Sequence, residues 1–253
     1  MNYWKRVRKI MRGSNVVLEI IDARFPNQTR NVELEKSAIK ADKKLVVVIN
    51  KSDLVSKHEA IKLQNSISKE FPALLFSARE RKGKNDLMRL LKIFSAKKEL
   101  FVCVLGYPNT GKSSIINYLR GKRSAPVSST AGQTKGEQLI RLDKKIMLVD
   151  TPGVMPFFKG GEATLTLIAA KNPQALKNPE KAVQKIFNYL REEGAKELWG
   201  VELAGKSTEQ LLEEIAFKKK RLKQGGQPDV STITFQIISA WQKGKITLKK
   251  NAG

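Results

Sequence analysis

The segment Gly106-Tyr107-Pro108-Asn109-Thr110-Gly111-Lys112-Ser113 constrains the fold more than any other feature of the chain. It has the spacing G-x-x-x-x-G-K-[ST], with the apolar run 101–105 before it and an amphipathic run, 112–119, after it. That context is a strand, a glycine-rich turn and a helix, in which successive backbone N–H groups and the positive end of the helix dipole converge on an anion. Tyr107, Pro108, Asn109, Thr110, Gly111, Lys112, Ser113 and Ser114 are therefore candidate phosphate-binding residues. Lys112 would bridge the outer phosphates as a point charge, and the Ser113 hydroxyl would ligate Mg²⁺.

A phosphate loop does not choose a base. Asn50-Lys51-Ser52-Asp53 does, because it follows the apolar run 45–49 and offers a carboxylate to a base. Asp53 can accept both the ring N–H and the exocyclic amine of guanine, a donor pair that adenine lacks, and an unpaired carboxylate facing adenine would be penalised. Asn50 is expected to brace the loop and Lys51 to lie along the ring face. Ser77-Ala78-Arg79, after the run 73–76, places the Ala78 N–H for the guanine carbonyl oxygen. Asp150-Thr151-Pro152-Gly153 follows the run 146–149, with Asp150 expected to hold Mg²⁺ through water and the Gly153 amide to sense the γ-phosphate. In the polar stretch 126–136, Thr134 is the first candidate for a switch threonine closing on Mg²⁺, with Ser129 and Thr130 as competitors.

Apolar runs at 16–21, 45–49, 73–76, 101–105 and 146–149 alternate with helix-periodic segments at 31–41, 57–70, 85–96 and 112–119, a βαβ pattern. It predicts an α/β fold, a mostly parallel sheet with helices on both faces. After Gly153 the pattern turns helical, at 179–193, 207–223 and 230–243, without a convincing strand. The expected division is a nucleotide domain at 1–165 and a small, basic helical domain at 166–253.

The motif order is unusual. Guanine nucleotide-binding proteins ordinarily carry the phosphate loop first and N-K-x-D later; here Asn50–Asp53 and Ser77–Arg79 precede it. Joining the close-lying termini of a compact α/β domain and reopening it at a surface loop preserves every contact of the site. The opening falls after D-x-x-G, so the segment that senses the γ-phosphate continues directly into the C-terminal helices. Nucleotide state is thereby expected to reach the second domain by a short covalent path.

Composition speaks to partners. The 48 Lys and Arg against 24 Asp and Glu leave a formal charge of +24, which favours a polyanion partner over a merely basic surface. The cluster Lys218-Lys219-Lys220-Arg221 with Lys223 is either a solvated helix face or an RNA-contacting patch. One Cys, Cys103, and one His, His58, exclude an internal disulfide and a Cys/His zinc site. No stretch approaches the roughly 18 apolar residues that span a bilayer, so no membrane association and a cytoplasmic location are expected.

Taken together, Asp22-Ala23-Arg24-Phe25-Pro26, Asn50–Asp53, the phosphate loop read through Ser114, and Gly225-Gly226-Gln227-Pro228-Asp229 resemble the circularly permuted ribosome-assembly GTPases over nearly the whole chain. The resemblance implies hydrolysis of GTP to GDP and phosphate on large-subunit precursors, with the basic C-terminal helices and N-terminal segment touching rRNA, and a monomer is expected. It also implies that Val154, where many GTPases carry the glutamine that orients water, is a family trait. Some relatives are expected to use an N-terminal histidine instead; here the single histidine, His58, is expected on a helix surface. Lys112, Thr134, Asp150, Gly153 and Asn109 are the candidate catalytic residues, acting with Mg²⁺ and backbone donors. Asn109 resembles the asparagine that coordinates K⁺ in cation-dependent GTPases, which makes K⁺ a candidate cofactor. The rival reading is an RNA-binding assembly factor in which GTP orders the fold without appreciable hydrolysis. An ATPase acting on RNA is disfavoured by Asp53.

Overall fold

The computed structural model describes residues 3–96, 98–121, 138–150, 165, 168, 174 and 176–246. The chain divides into two compact units, Met1–Phe157 and Phe158–Gly253.

In the first unit the strands β1 (Val16–Asp22), β2 (Lys44–Asn50), β3 (Ala73–Leu75), β4 (Leu100–Leu105), β5 (Gln138–Asp143) and β6 (Ile146–Asp150) form one sheet in the order β3-β2-β1-β4-β6-β5. All neighbours are parallel except β5, which pairs antiparallel with β6. Five strands therefore end at the same edge. The chain steps outward from β1 to β2 and β3, then returns to place β4 on the other side of β1. A reversal of this kind opens a crevice at the strand ends, where ligands of open α/β sheets bind.

Helices cover both faces, because every residue of β1 is buried and its alternate side chains need partners on each side. Val16, Leu18 and Ile20 pack in one core with Leu87 and Leu91 of α5 (Lys84–Phe94) and Ile115, Ile116 and Leu119 of α6 (Lys112–Arg120). On the opposite face Val17 packs with Val7, Ile10 and Met11 of α1 (Tyr3–Arg12) and with Leu34 and Ala38 of α3 (Val32–Lys40). Ile21 packs there with Ile67 of α4 (Lys57–Ile67). A single turn, α2 (Pro26–Thr29), follows β1.

Glu19 interrupts the apolar run of β1. Its Oε1 accepts from the Asn31 N–H at 2.6 Å, while Asn31 Oδ1 caps α3 by accepting from Leu34 N. Burial first, and the charge of nearby Glu35 second, push the Glu19 carboxyl well above the usual range.

The second unit packs α7 (Pro179–Glu192), α8 (Thr208–Lys218) and α9 (Val230–Gln242) around Ile186, Phe187, Leu212, Ile215, Ile237 and Trp241. Trp241 meets Tyr189 edge-on at 5.4 Å. A two-residue-per-strand hairpin, β7 (Glu197–Leu198) with β8 (Val201–Glu202), lies between α7 and α8, where no strand is expected from the sequence. So short a pair has no periodicity to read; the positive φ of Trp199 and Gly200 at its turn is what closes it.

Two elements of the first unit also depart from expectation. β5 alternates only weakly, and its pairing with β6 makes it a strand. α1 is a helix whose buried Val7, Ile10 and Met11 recur at helical spacing within a segment read as basic. Lastly, α8 stops at Lys218 rather than 223, with Lys220 left-handed (φ 53°). The basic cluster wraps a helix end and does not line a helix face.

Candidate functional site

The parallel strand ends bring the scattered motifs to one edge. Asn50 closes β2, Ser77 lies two residues past β3, and residues 106–111 link β4 to α6. The Asn50 side chain joins all three: Nδ2 donates to Thr110 O at 2.7 Å, and Oδ1 accepts from Ala78 N at 3.3 Å. Its expected bracing role thus extends over two loops. The Ala78 N–H expected to face a guanine carbonyl here donates to Asn50.

Gly111 explains why the second loop glycine is required. It has φ 98°, and a Cβ there would lie 2.1 Å from Asn50 Nδ2. Gly106 (φ 143°) is similarly closed, with a Cβ position 2.4 Å from Ile20 O on the neighbouring strand. Asn109 is left-handed at φ 59°, and Thr110 Oγ1 donates to Tyr107 O at 2.9 Å. Lys112 starts α6 with its side chain folded into the loop, where Nζ donates to Gly106 O at 2.8 Å and Tyr107 O at 2.6 Å. Pro108 shares this loop; Ser113 and Ser114 are exposed in the first helical turn.

Asp53 lies in a short 3₁₀ turn, Ser52–Leu54, that Ser52 pins to the end of β3 through Oγ and N–H bonds to Phe76 O. Ser77 Oγ donates to Asp53 Oδ1 at 2.7 Å and accepts from Glu80 N at 3.0 Å. Arg79 is exposed beside it.

Lys51 departs from the expected pose. It is left-handed (φ 61°), and its Nζ donates to Asp22 Oδ2 at 2.7 Å. Asp22, fully buried at the end of β1, is also gripped by Arg24, through Nε to Oδ1 at 3.0 Å and Nη2 to Oδ2 at 2.8 Å. Burial alone would raise the Asp22 carboxyl; Arg24, with Lys51 behind it, more than offsets this and holds it at about 2. The sequence marks Asp22 and Arg24 as part of a motif without giving them a role. A carboxylate closing an apolar strand two residues before an arginine is the signal that such a clamp offers.

Asp150 ends β6, at the same edge, since β6 runs parallel to β4 with Cys103 opposite Val149. Its side chain is outside what the structure describes, and Thr134, Gly153, Ser129, Thr130 and Val154 lie outside the described residues. His58 is exposed on α4, as expected. Among the described residues no cluster of His, Cys, Asp or Glu could by itself hold a metal, and no helix is long and apolar enough to cross a membrane. Burial pushes the Cys103 thiol up to about 12, consistent with an inert place in the core.

In the second unit a groove of about 880 Å³ is lined by Trp199, Lys219, Phe235, Gln236, Lys243 and Lys245 among others, with no acidic side chain at its wall among the described residues. Lys219 Nζ stands 4.0 Å over the Trp199 ring. The Gly225–Asp229 turn serves α9: Asp229 Oδ1 caps it by accepting from Thr232 N at 3.1 Å.

Residues 101–216 match the family model described as a 50S ribosome-binding GTPase, and residues 22–158, over half of the chain, match that of the RsgA GTPase. The chain belongs to the circularly permuted ribosome-assembly GTPases. Among relatives of this chain is a GTP-binding protein of Methanocaldococcus jannaschii, 39% identical over 252 residues, covering 97% of this chain and 66% of that protein. Nucleolar GTP-binding protein 2 of Saccharomyces cerevisiae is 35% identical over 253 residues, covering 96% and 52% respectively. The chain thus spans between half and two-thirds of the length of these curated relatives. Two structures of YlqF share the fold at 24% identity: a GDP-bound one with TM-score 0.72, covering 96% of both chains, and a GNP-bound one from T. maritima with TM-score 0.69, covering 97% of this chain and 95% of that one.

Proposed function

We propose that this GTPase binds GTP with Mg²⁺, hydrolyses it to GDP and phosphate, and acts as a switch in large-subunit assembly by binding rRNA on a pre-ribosomal particle. The observation that carries this reading is the Asn50 side chain, which ties the base motif, the Ser77–Arg79 loop and the phosphate loop together at one edge of the sheet.

At this edge Asp53, oriented by Ser77, presents its other oxygen to the guanine donor pair. Phosphate oxygens would take over the Lys112 ammonium from the carbonyls of Gly106 and Tyr107, and the α6 N-terminus would face them. Ser113, Asp150 and Thr134 make a hydroxyl and carboxylate oxygen set suited to Mg²⁺, a hard cation that keeps several waters. Mg²⁺, when bound, neutralises charge on the phosphates; Asn109 is the candidate to add K⁺ there. Gly153 would report the γ-phosphate to the chain that follows. The cationic, aromatic groove of the second unit supports RNA as the polyanion.

The test is GTP turnover with and without large ribosomal subunits, in K⁺ and in Na⁺ buffer. Slow basal hydrolysis raised by the subunits is expected, faster in K⁺. Tight subunit binding with no turnover under any condition overturns the switch in favour of a GTP-ordered assembly factor, and equal rates in the two salts remove K⁺.

A further inference from the structure

We propose that Asp22 is a positioning residue for guanine recognition: clamped by Arg24, it holds the Lys51 ammonium away from Asp53 and so keeps the Asp53 carboxylate open to the base. This rests on the reading of Asp53 as the base acceptor.

Lys51 stands two residues before Asp53, in a turn whose left-handed start and 3₁₀ continuation keep the two side chains in one neighbourhood. Asp22 and Asp53 are both carboxylates whose charge acts on Lys51, and Asp22 acts more strongly. Burial weakens the hold of Lys51 on its proton, so a close counter-ion is needed for it to stay charged. Asp22 supplies it at 2.7 Å. Asp53 meanwhile spends Oδ1 on Ser77 and takes no hydrogen bond at Oδ2 from any described residue. A Lys51–Asp53 pair would occupy the oxygen that guanine needs.

The Arg24 fork makes this assignment firm. Its side chain binds both Asp22 oxygens and its N–H binds Oδ1 at 3.1 Å, so the carboxylate has one orientation and Oδ2 is the oxygen turned to Lys51. The strand end is fixed as well, since Asp22 N–H donates to Thr29 Oγ1 at 3.0 Å and Ala23 N–H to Asn50 O at 2.9 Å. Asp22, Arg24 and Lys51 carry one negative and two positive charges. Removing the Asp22 charge leaves a buried Arg24 and a part-buried Lys51 without their counter-ion, and Asp53 is the other carboxylate whose charge acts on Lys51.

The experiment compares GDP with IDP, which lacks the exocyclic amine that Asp53 would accept. Both share the diphosphate, so damage to the phosphate loop cancels in the ratio of their affinities. Asp22→Asn is expected to weaken GDP binding about tenfold or more, the scale of one charge-assisted hydrogen bond, and to narrow the GDP/IDP ratio. Lys51→Met alone should lower GDP affinity slightly, and Asp22→Asn/Lys51→Met should regain the ratio, because no ammonium is left to compete for Asp53. An unchanged ratio in Asp22→Asn, or a double variant as indiscriminate as the single, overturns the proposal. If Asp22→Asn does not melt as a folded protein, Arg24→Lys keeps the charge but loses the fork, and a roughly threefold narrowing of the ratio is expected; no narrowing overturns the proposal. Wild-type protein that binds ADP as well as GDP would sink the reading of Asp53 itself, a separate result.

Discussion

Beyond the strand ends, Asn50 at the close of β2, Asp53 in the turn after it and Lys112 at the start of α6 are aimed by specific partners: Thr110 and Ala78, Ser77, and the carbonyls of Gly106 and Tyr107. In the helical unit the cations Lys218, Lys219, Lys220 and Arg221 gather where α8 ends, exposed, and the groove beside them collects lysines from different segments. On the proposed function, the first region reads its ligand by geometry, so that moving one atom is costly. The second region would then attract by summed charge, each residue contributing a little and salt eroding all of it.

Substitutions of glycine give the largest contrast. Gly111→Ala puts a Cβ 2.1 Å from Asn50 Nδ2 at φ 98°, and guanine nucleotide affinity by calorimetry should fall at least about 100-fold. Gly225→Ala (φ 89°) meets no atom of a described residue within 4 Å, so the left-handed strain is what remains, about 1–2 kcal/mol of stability, with RNA affinity kept. Equal losses of ligand binding at both sites would break the comparison.

Asp53→Asn comes next. Replacing the carboxylate should weaken GDP by about 2–3 kcal/mol, roughly 30- to 150-fold, while leaving affinity for rRNA fragments as it was. A parallel fall in RNA binding would mean that the two regions are not separable in this way.

Smaller effects are expected from Lys219→Ala, Lys243→Ala and Lys245→Ala. Each should reduce RNA affinity a few-fold at fixed salt and, if its ammonium meets a phosphate, lower the slope of log affinity against log salt by about 1. GDP affinity should not move. A loss of more than about 100-fold from any one of them would mark a specific contact and undo the distributed picture.

The smallest effect concerns two carboxylates on β1. Asp22 is depressed to about 2, so its contribution to stability is present above the ordinary carboxyl value and lost as pH falls through about 2. Glu19 is raised, so its contribution is present at acid pH and is lost as pH climbs past the ordinary carboxyl value toward its elevated one. Glu19→Gln removes the second loss. Thermal melts from pH 4 to 8 should show a flatter profile for Glu19→Gln across that window. A wild-type profile in the variant would mean that Glu19 carries no such linkage.

Much of the fold was legible because its signals are local. The runs 45–49 and 101–105 read as strands from unbroken apolar character, and 112–119 as a helix from its periodicity and the glycine before it, against an observed Lys112–Arg120. β5 and the β7–β8 hairpin were not legible, since each is a strand only through its partner. α1 was obscured by its charge: Lys5, Arg8 and Lys9 dominate the reading, while burial rests on Val7, Ile10 and Met11. At the site, Asn50 and Asp53 could be named as base-reading residues, but not that Asn50 also grips Thr110.

Sequence alone determined the inventory and its order: a phosphate loop, a guanine-type carboxylate, and the rotation that places the latter first. These are properties of short contiguous segments, whose spacing dictates what their own backbone can do. Only the tertiary structure decided which loops touch. Asn50 reaches Thr110 across 60 residues, and Lys51 finds Asp22 across 29, because β1 lies between β2 and β4 and all three end at one edge. Strand order is a collective result of packing both faces of the sheet at once, so no single segment encodes it.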